Sequence, residues 1–125
     1  MALGCFAAFA IVPAEAQAPD SPLLEGLKKG AWEIRFRGGM PDRRICIRTG
    51  RELIQLQHNG QTCGKYSIES AESEVTVQYS CRGSGYGRTN LRMETPRLVQ
   101  IESHGIKDDL PFQFSAEARF VGACD

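Results

Sequence analysis

The residues whose type and spacing could do chemistry are five cysteines, two histidines, a handful of serines and one glycine-rich stretch. Cys46, Cys63, Cys81 and Cys124 stand 17, 18 and 43 residues apart, and no pair has the C-x-x-C spacing of a zinc knuckle. No metal site is expected. Four cysteines in an oxidising compartment would instead form two disulfides, with three possible connectivities. His104 has Glu102, Asp108 and Asp109 close in sequence. On a strand, Glu102 and His104 share the face opposite Ile101, hence the solvent face. A metal or acid–base role there would need a further ligand or an orienting partner from elsewhere, so the plainer reading is a polar strand end and an acidic turn. His58 precedes Asn59-Gly60 and reads as the end of a helix. Gly83-Ser84-Gly85 lacks the G-x-S-x-G spacing of a nucleophile elbow and leads into a strand, and Ser80 and Ser103 have no better context. The same downstream strand excludes a dinucleotide loop at Gly83-x-Gly85-x-Gly87, because a helix must follow to meet the pyrophosphate. Alternate glycines leave one strand face bare, which suits a sharp coil of the sheet or close contact with an aromatic ring. Tyr86, between two of them, is the exposed aromatic best placed to bind. No catalytic residue and no cofactor are expected.

Arginine is the other candidate chemistry. Arg35 and Arg37 share one strand face, and Arg43, Arg44, Arg48 and Arg51 add base to the same half of the chain. They could meet an anionic partner, or form a solvated face offset by acidic residues on neighbouring strands. Overall, fifteen basic and fifteen acidic residues cancel among 125. No charge excess exists to hold nucleic acid. The length and the 42% hydrophobic content describe one folded domain rather than a disordered or fibrous chain.

The first residues supply an address. Met1 to Val12 form an uncharged apolar run of signal-peptide length, too short to span a bilayer. Ala14-Glu15-Ala16 offers a small-x-small cleavage site, preferred over Ala18, which Pro19 follows. No Lys or Arg precedes the run, which makes the leader a weak one or puts the true start upstream. The expected organisation is a signal peptide over 1–16, a linker over 17–23 and a β domain over 24–125. Removing the leader takes Cys5 and Glu15 and leaves four cysteines and a net charge of +1.

The elements that must position these residues are mostly strands. Trp32, Ile34 and Phe36 alternate with Glu33, Arg35 and Arg37, and Ile45 and Ile47 mark a second short strand. Thr49 to Leu56 reads as a brief helix, with Thr49 as N-cap and Glu52 three residues on. Further strands are expected at 63–69, 74–82, 87–95, 97–104 and 112–122, separated by turn residues. A helical lead-in at Ser21–Leu27 packs over one edge. Short links between strands, with no helical crossovers, give an all-β antiparallel meander with one or two short helices, curled into a half-barrel or small barrel. A hairpin turn centred on Glu72 places Cys63 opposite Cys81, where cross-strand spacing suits a disulfide, and leaves Cys46 with Cys124. The same register puts Tyr66 and Ile68 on the face away from Val75, Val77 and Tyr79, so a bulge near Gly64 is expected. Trp32, Phe36, Tyr79, Phe112, Phe114 and Phe120 are expected to fill the core.

Leu24-x-x-Leu27-Lys28-x-Gly30-x-Trp32-Glu33-Ile34, Ile45-Cys46-Ile47, the pair Cys63 and Cys81, the glycine-rich stretch and the closing Gly122-Ala123-Cys124 occur in an order that resembles the domain-of-unknown-function 3617 family. Ala31 departs from the family's bulkier residue, and Arg48-Thr49-Gly50 from its usual entry to the short helix. The resemblance implies a small exported proteobacterial protein with a β-rich domain and brings no catalytic residue. The function expected is a non-catalytic, monomeric binding module of the periplasm or outside, with disulfides at Cys46, Cys63, Cys81 and Cys124. Its binding surface would include Arg35, Arg37 and Tyr86, its partner being an envelope protein or glycan. The alternatives are a carrier of a small apolar ligand inside the barrel and an inhibitor of an envelope-degrading enzyme.

Overall fold

A computed structural model describes Gly4 and residues 21–125. The leader expected over 1–16, Gly4 apart, lies outside the described residues. Seven strands form one antiparallel sheet: β1 (Gly30–Phe36), β2 (Arg43–Ile47), β3 (Cys63–Ser70), β4 (Glu74–Cys81), β5 (Gly85–Thr95), β6 (Leu98–Lys107) and β7 (Leu110–Gly122). Their order across the sheet is β2-β1-β7-β6-β5-β4-β3. β2 and β3 are therefore edges, and the sheet is a half-barrel rather than a closed barrel.

Alternation decides the faces. Trp32, Ile34, Val75, Val77, Tyr79, Leu91, Ile101, Ala116 and Ala118 turn to the concave side and are all buried, whereas Arg35, Arg88, Glu102 and His104 point outward. The aromatic residues expected in the core are there: Trp32, Phe36, Tyr79 and Phe114 are buried, and Phe112 and Phe120 pack against them. The β6–β7 hairpin turns on Asp108 and Asp109, both at positive φ (49° and 66°), the pair of left-handed residues that a tight two-residue hairpin requires.

The concave side is covered by chain that is not sheet. The link from β2 to β3 crosses from one edge of the sheet to the other and buries Leu53, Ile54, Leu56 and His58. The expected helix over 49–56 is instead two 3-10 turns, Arg51–Leu53 and Leu56–His58. Gly50 takes the N-cap position assigned to Thr49; its φ of 91° and the approach of Leu24, whose Cα would lie 3.2 Å from an added β-carbon, both suit glycine there. Beside the link lies the helix α1 (Pro22–Gly26), capped by Ser21 accepting from the Leu24 N–H. Leu23, assigned to a linker, is fully buried at its start.

Glu52 fastens the link. Its carboxylate accepts from the N–H groups of Arg48, Thr49 and Gly50, each at 3.0 Å. Burial pushes this carboxyl up, but hydrogen bonds from the backbone N–H groups of Arg48, Glu52 itself and Thr49, and from the Thr49 hydroxyl, outweigh it and hold it below the ordinary glutamate value. A depressed native value adds stability that is present above the ordinary carboxylate range and is lost as pH falls through that range and then through the lower native value. Glu52→Ala should therefore cost about 1 kcal/mol at neutral pH, by analogy with lost caps. The difference from wild type should narrow as pH falls below about 4, where the unfolded carboxyl is mostly protonated, and close once the native carboxyl is protonated too. Urea titrations at neutral and acid pH check this; a gap that does not narrow in acid would mean that Glu52 acts by packing.

Both disulfides are present, Cys46–Cys124 and Cys63–Cys81, the latter joining directly opposed residues of β3 and β4. A bulge is present in this hairpin, but it is not near Gly64 and does not turn Tyr66 and Ile68 inward. The register slips between Ser67 and Glu69, after five consecutive pairs have run in step from Cys63. Its physical reason is the disulfide, which holds the Cys63 end in line and leaves the slack at the turn end. Tyr66 and Ile68 stay exposed on the outer face.

Candidate functional site

The glycine-rich stretch proves to be a socket for rings. Gly87 pairs with Tyr79, and a β-carbon on it would sit 2.5 Å from Tyr79 Cζ. A β-carbon on Gly105, which pairs with both Gly87 and Phe112, would collide first with the Tyr86 carbonyl and Gly87 Cα of the neighbouring strand and would also lie 3.0 Å from Phe112 Cε1. A β-carbon on Gly85 would collide with the Ile106 carbonyl. Into the space so freed pack Tyr79, Phe112 and His58, with ring centroids 5.2 Å (His58–Tyr79) and 5.9 Å (His58–Phe112) apart.

His58 is the residue whose role the sequence hid. It is fully buried, with Nδ1 2.8 Å from the Tyr79 hydroxyl and Nε2 3.1 Å from the Ser84 carbonyl. A carbonyl only accepts, so Nε2 carries the proton and donates to it, and Nδ1 accepts from the phenol. Burial pushes the Tyr79 phenol up to about 12, which keeps it a neutral donor. Both imidazole nitrogens are thus committed to holding the linker and the 82–84 turn against the sheet. Ser103 is likewise occupied: it is buried and shares a 2.8 Å hydrogen bond with Thr89, whose hydroxyl also reaches the Ile54 carbonyl. The local signals for His58, Asn59-Gly60 behind it and a helical period before it, say nothing of partners 21 and 26 residues away.

The socket fixes what stands on its outer side. Tyr86 pairs with Ile106, and Ile106 with Pro111, so three apolar side chains line up across β5, β6 and β7 on the solvent face. Tyr86 is 51% exposed. Beside this row lies a second, in which Gln78, Arg88, His104 and Gln113 occupy facing positions on four strands. Between the rows is an open hollow of about 600 Å³ bounded by Tyr86, His104, Ile106, Pro111 and Gln113. A second, of about 540 Å³, lies on the other side of Tyr86 and Ile106 and reaches Ser84, Asp108 and Asp109. His104 is exposed as the alternation requires, and no group of three or more His, Cys, Asp or Glu could hold a metal among the described residues.

Arg35 and Arg37 lie on the same outer face but not at the same place. Arg37 donates to Gln100 Oε1 at 2.8 Å, and Gln100 is six residues from Ile106 on β6, a separation of ~20 Å. Arg35 pairs with Glu33 at 2.9 Å, which raises its pKa first through that hydrogen bond and then through the charge. It also faces Glu117 across the β1–β7 ladder, and Glu117 is held below the ordinary glutamate value by its hydrogen bond from Arg119. Arginine and carboxylate are interleaved here. Arg43 is drawn inward, donating to the Leu56 carbonyl at 2.8 Å and tying β2 to the linker.

No family model matches the chain. Neither a curated protein nor a solved structure does so. The resemblance to the domain-of-unknown-function 3617 family thus rests on the residues quoted for it. Two disulfides fit an oxidising compartment, and no helix among the described residues is long and apolar enough to cross a membrane.

Proposed function

We propose that this chain is an exported, disulfide-stapled binding module of the cell envelope that acts without catalysis, through the Tyr86 end of its outer face. The observation that carries this reading is the in-register row Tyr86–Ile106–Pro111, apolar side chains set on a rigid sheet beside hydrogen-bonding groups. Exposed apolar clusters rimmed by polar residues mark interaction surfaces. The partner class is an envelope protein or glycan, and an envelope-degrading enzyme would engage the same surface. Arg35 and Arg37, on the far part of that face, supply charge that Glu33 and Glu117 largely cancel, so they rank below Tyr86 as contacts. A carrier of an apolar ligand has less support. The concave side that would form its calyx is occupied by Leu53, Ile54, Leu56 and His58.

The test is capture of partners from an envelope extract on immobilised, oxidised protein, comparing wild type with Tyr86→Ala and with Arg35→Glu/Arg37→Glu. Loss of a central aromatic contact should weaken retention about thirtyfold, and the arginine reversal should weaken it less. An unchanged retained set in Tyr86→Ala would sink the assignment of this surface.

A further inference from the structure

A different site, on the inner lip of the sheet, carries an inference that does not depend on the outer face. Lys65 lies on the concave side of the edge strand β3, half-buried where the linker crosses the lip. Its ammonium has one hydrogen bond, a 3.5 Å contact to the Cys63 carbonyl, and no carboxylate within ion-pair distance among the described residues. Burial, and after it the field of Arg51, holds its pKa below the ordinary lysine value. The acid on the same groove offers little relief, since the Glu52 oxygens already accept from three backbone N–H groups and the Thr49 hydroxyl. A cation withdrawn from water without a counter-charge is stabilised by an anion that reaches it.

Gln55 is the second, independent observation. It is only 8% exposed, and its Nε2 donates both protons, to the carbonyls of His58 at 2.8 Å and Gln61 at 2.7 Å. That commitment fixes the amide's orientation and leaves Oε1 buried with no donor. A buried acceptor of this kind calls for a hydroxyl or N–H. Gln55, Lys65, Arg51, Thr49, Asn59 and Glu52 line one groove of about 200 Å³, with the Glu52 oxygens taken up by the N–H groups of Arg48, Thr49 and Gly50. That is below the ~300–1,000 Å³ of pockets for drug-sized ligands and suits a single sugar-sized molecule.

We infer that this groove binds a small polyhydroxylated carboxylate, a sugar acid, with its carboxylate on Lys65 in the field of Arg51 and a hydroxyl donating to Gln55 Oε1. Each half of such a ligand answers one unmet group, so neither half alone should suffice. The bland account of Lys65 is that an inward-pointing charge keeps an edge strand from pairing with another chain.

The oxidised protein should be titrated with glucuronate, with glucose and with acetate, following the side-chain amide resonances of Gln55 by NMR, and in parallel by calorimetry. Glucuronate should give a saturable shift at Gln55, and glucose and acetate should each bind at least about tenfold more weakly, as one lost charged or hydrogen-bonded contact implies. Lys65→Met should lose at least about tenfold in glucuronate affinity and Lys65→Arg should recover most of it. The wild-type shift stands as a test even if a variant fails to fold. No saturable shift with glucuronate would overturn the inference, and so would an equal response to glucose. A Lys65→Met protein that keeps its affinity but dimerises would do the same, assigning Lys65 to guarding the edge.

Discussion

Gly87→Val is expected to cost at least ~3 kcal/mol and to leave the protein largely unfolded at 37 °C. The cost does not come from backbone conformation, since Gly87 shows no left-handed φ. It comes from Tyr79, whose Cζ and Cε1 lie 2.5 and 2.6 Å from where the new β-carbon must be. The ring has nowhere to go, because it is fully buried and its hydroxyl is bonded to His58 Nδ1. If Tyr79 shifts, the phenol and the imidazole both lose a buried partner, at about 1–3 kcal/mol each. The linker that His58 anchors would then come away from the sheet. Urea unfolding of oxidised protein gives the measurement, with Gly64→Ala as control. Gly64 has no positive φ and nothing within 4 Å of an added β-carbon, so that change should stay within about 0.5 kcal/mol. A Gly87→Val protein that unfolds at the wild-type urea concentration would show that the ring socket is not what these glycines are for.

Opening the Cys46–Cys124 bridge by paired Cys→Ser substitution should cost about 4.5 kcal/mol, against about 3 kcal/mol for Cys63–Cys81, if loop entropy in the unfolded chain governs. The bridges close sequence separations of 78 and 18 residues. The ratio alone accounts for a difference of about 1.3 kcal/mol. Native geometry pushes the same way. Cys46 and Gly122 both pair with Ala31 on β1, from its two sides, so the longer bridge reaches across β1 and ties the edge strand β2 to the end of β7. β2 is only five residues long and its strand pairing is to β1 alone, with the Arg43 bond to the Leu56 carbonyl and the buried Ile47 as its other anchors. Cys63 and Cys81 sit opposite one another in a hairpin that seven paired positions already define. Equal costs, or the reverse order, would mean that native strain or residual unfolded structure outweighs loop length.

Much of this protein was legible in its sequence because strand signals are local. Period-two alternation in Trp32-Glu33-Ile34-Arg35-Phe36 and from Phe112 to Gly122 specifies which side chains share a face, whatever lies next to them. Equal spacing of Cys63 and Cys81 from a polar turn was enough to place one disulfide and, with four cysteines, to leave the other pair. Tyr86 was marked for the same local reason, an aromatic between two bare positions.

What local pattern cannot carry is who covers a face. The linker's 3-10 turns, the burial of His58 and the filling of the concave side depend on a chain segment meeting strands far along the sequence. The apolar row Tyr86–Ile106–Pro111 exists only because three strands are in one register, and no single strand contains it. Lys65 and Gln55 look like surface residues in sequence. They became a lined groove when the linker crossed the lip of the sheet. Alternation determined the two sides of each strand. Tertiary packing decided which was covered, by what, and which polar groups were left without partners, because burial and hydrogen-bond satisfaction are properties of the assembled chain.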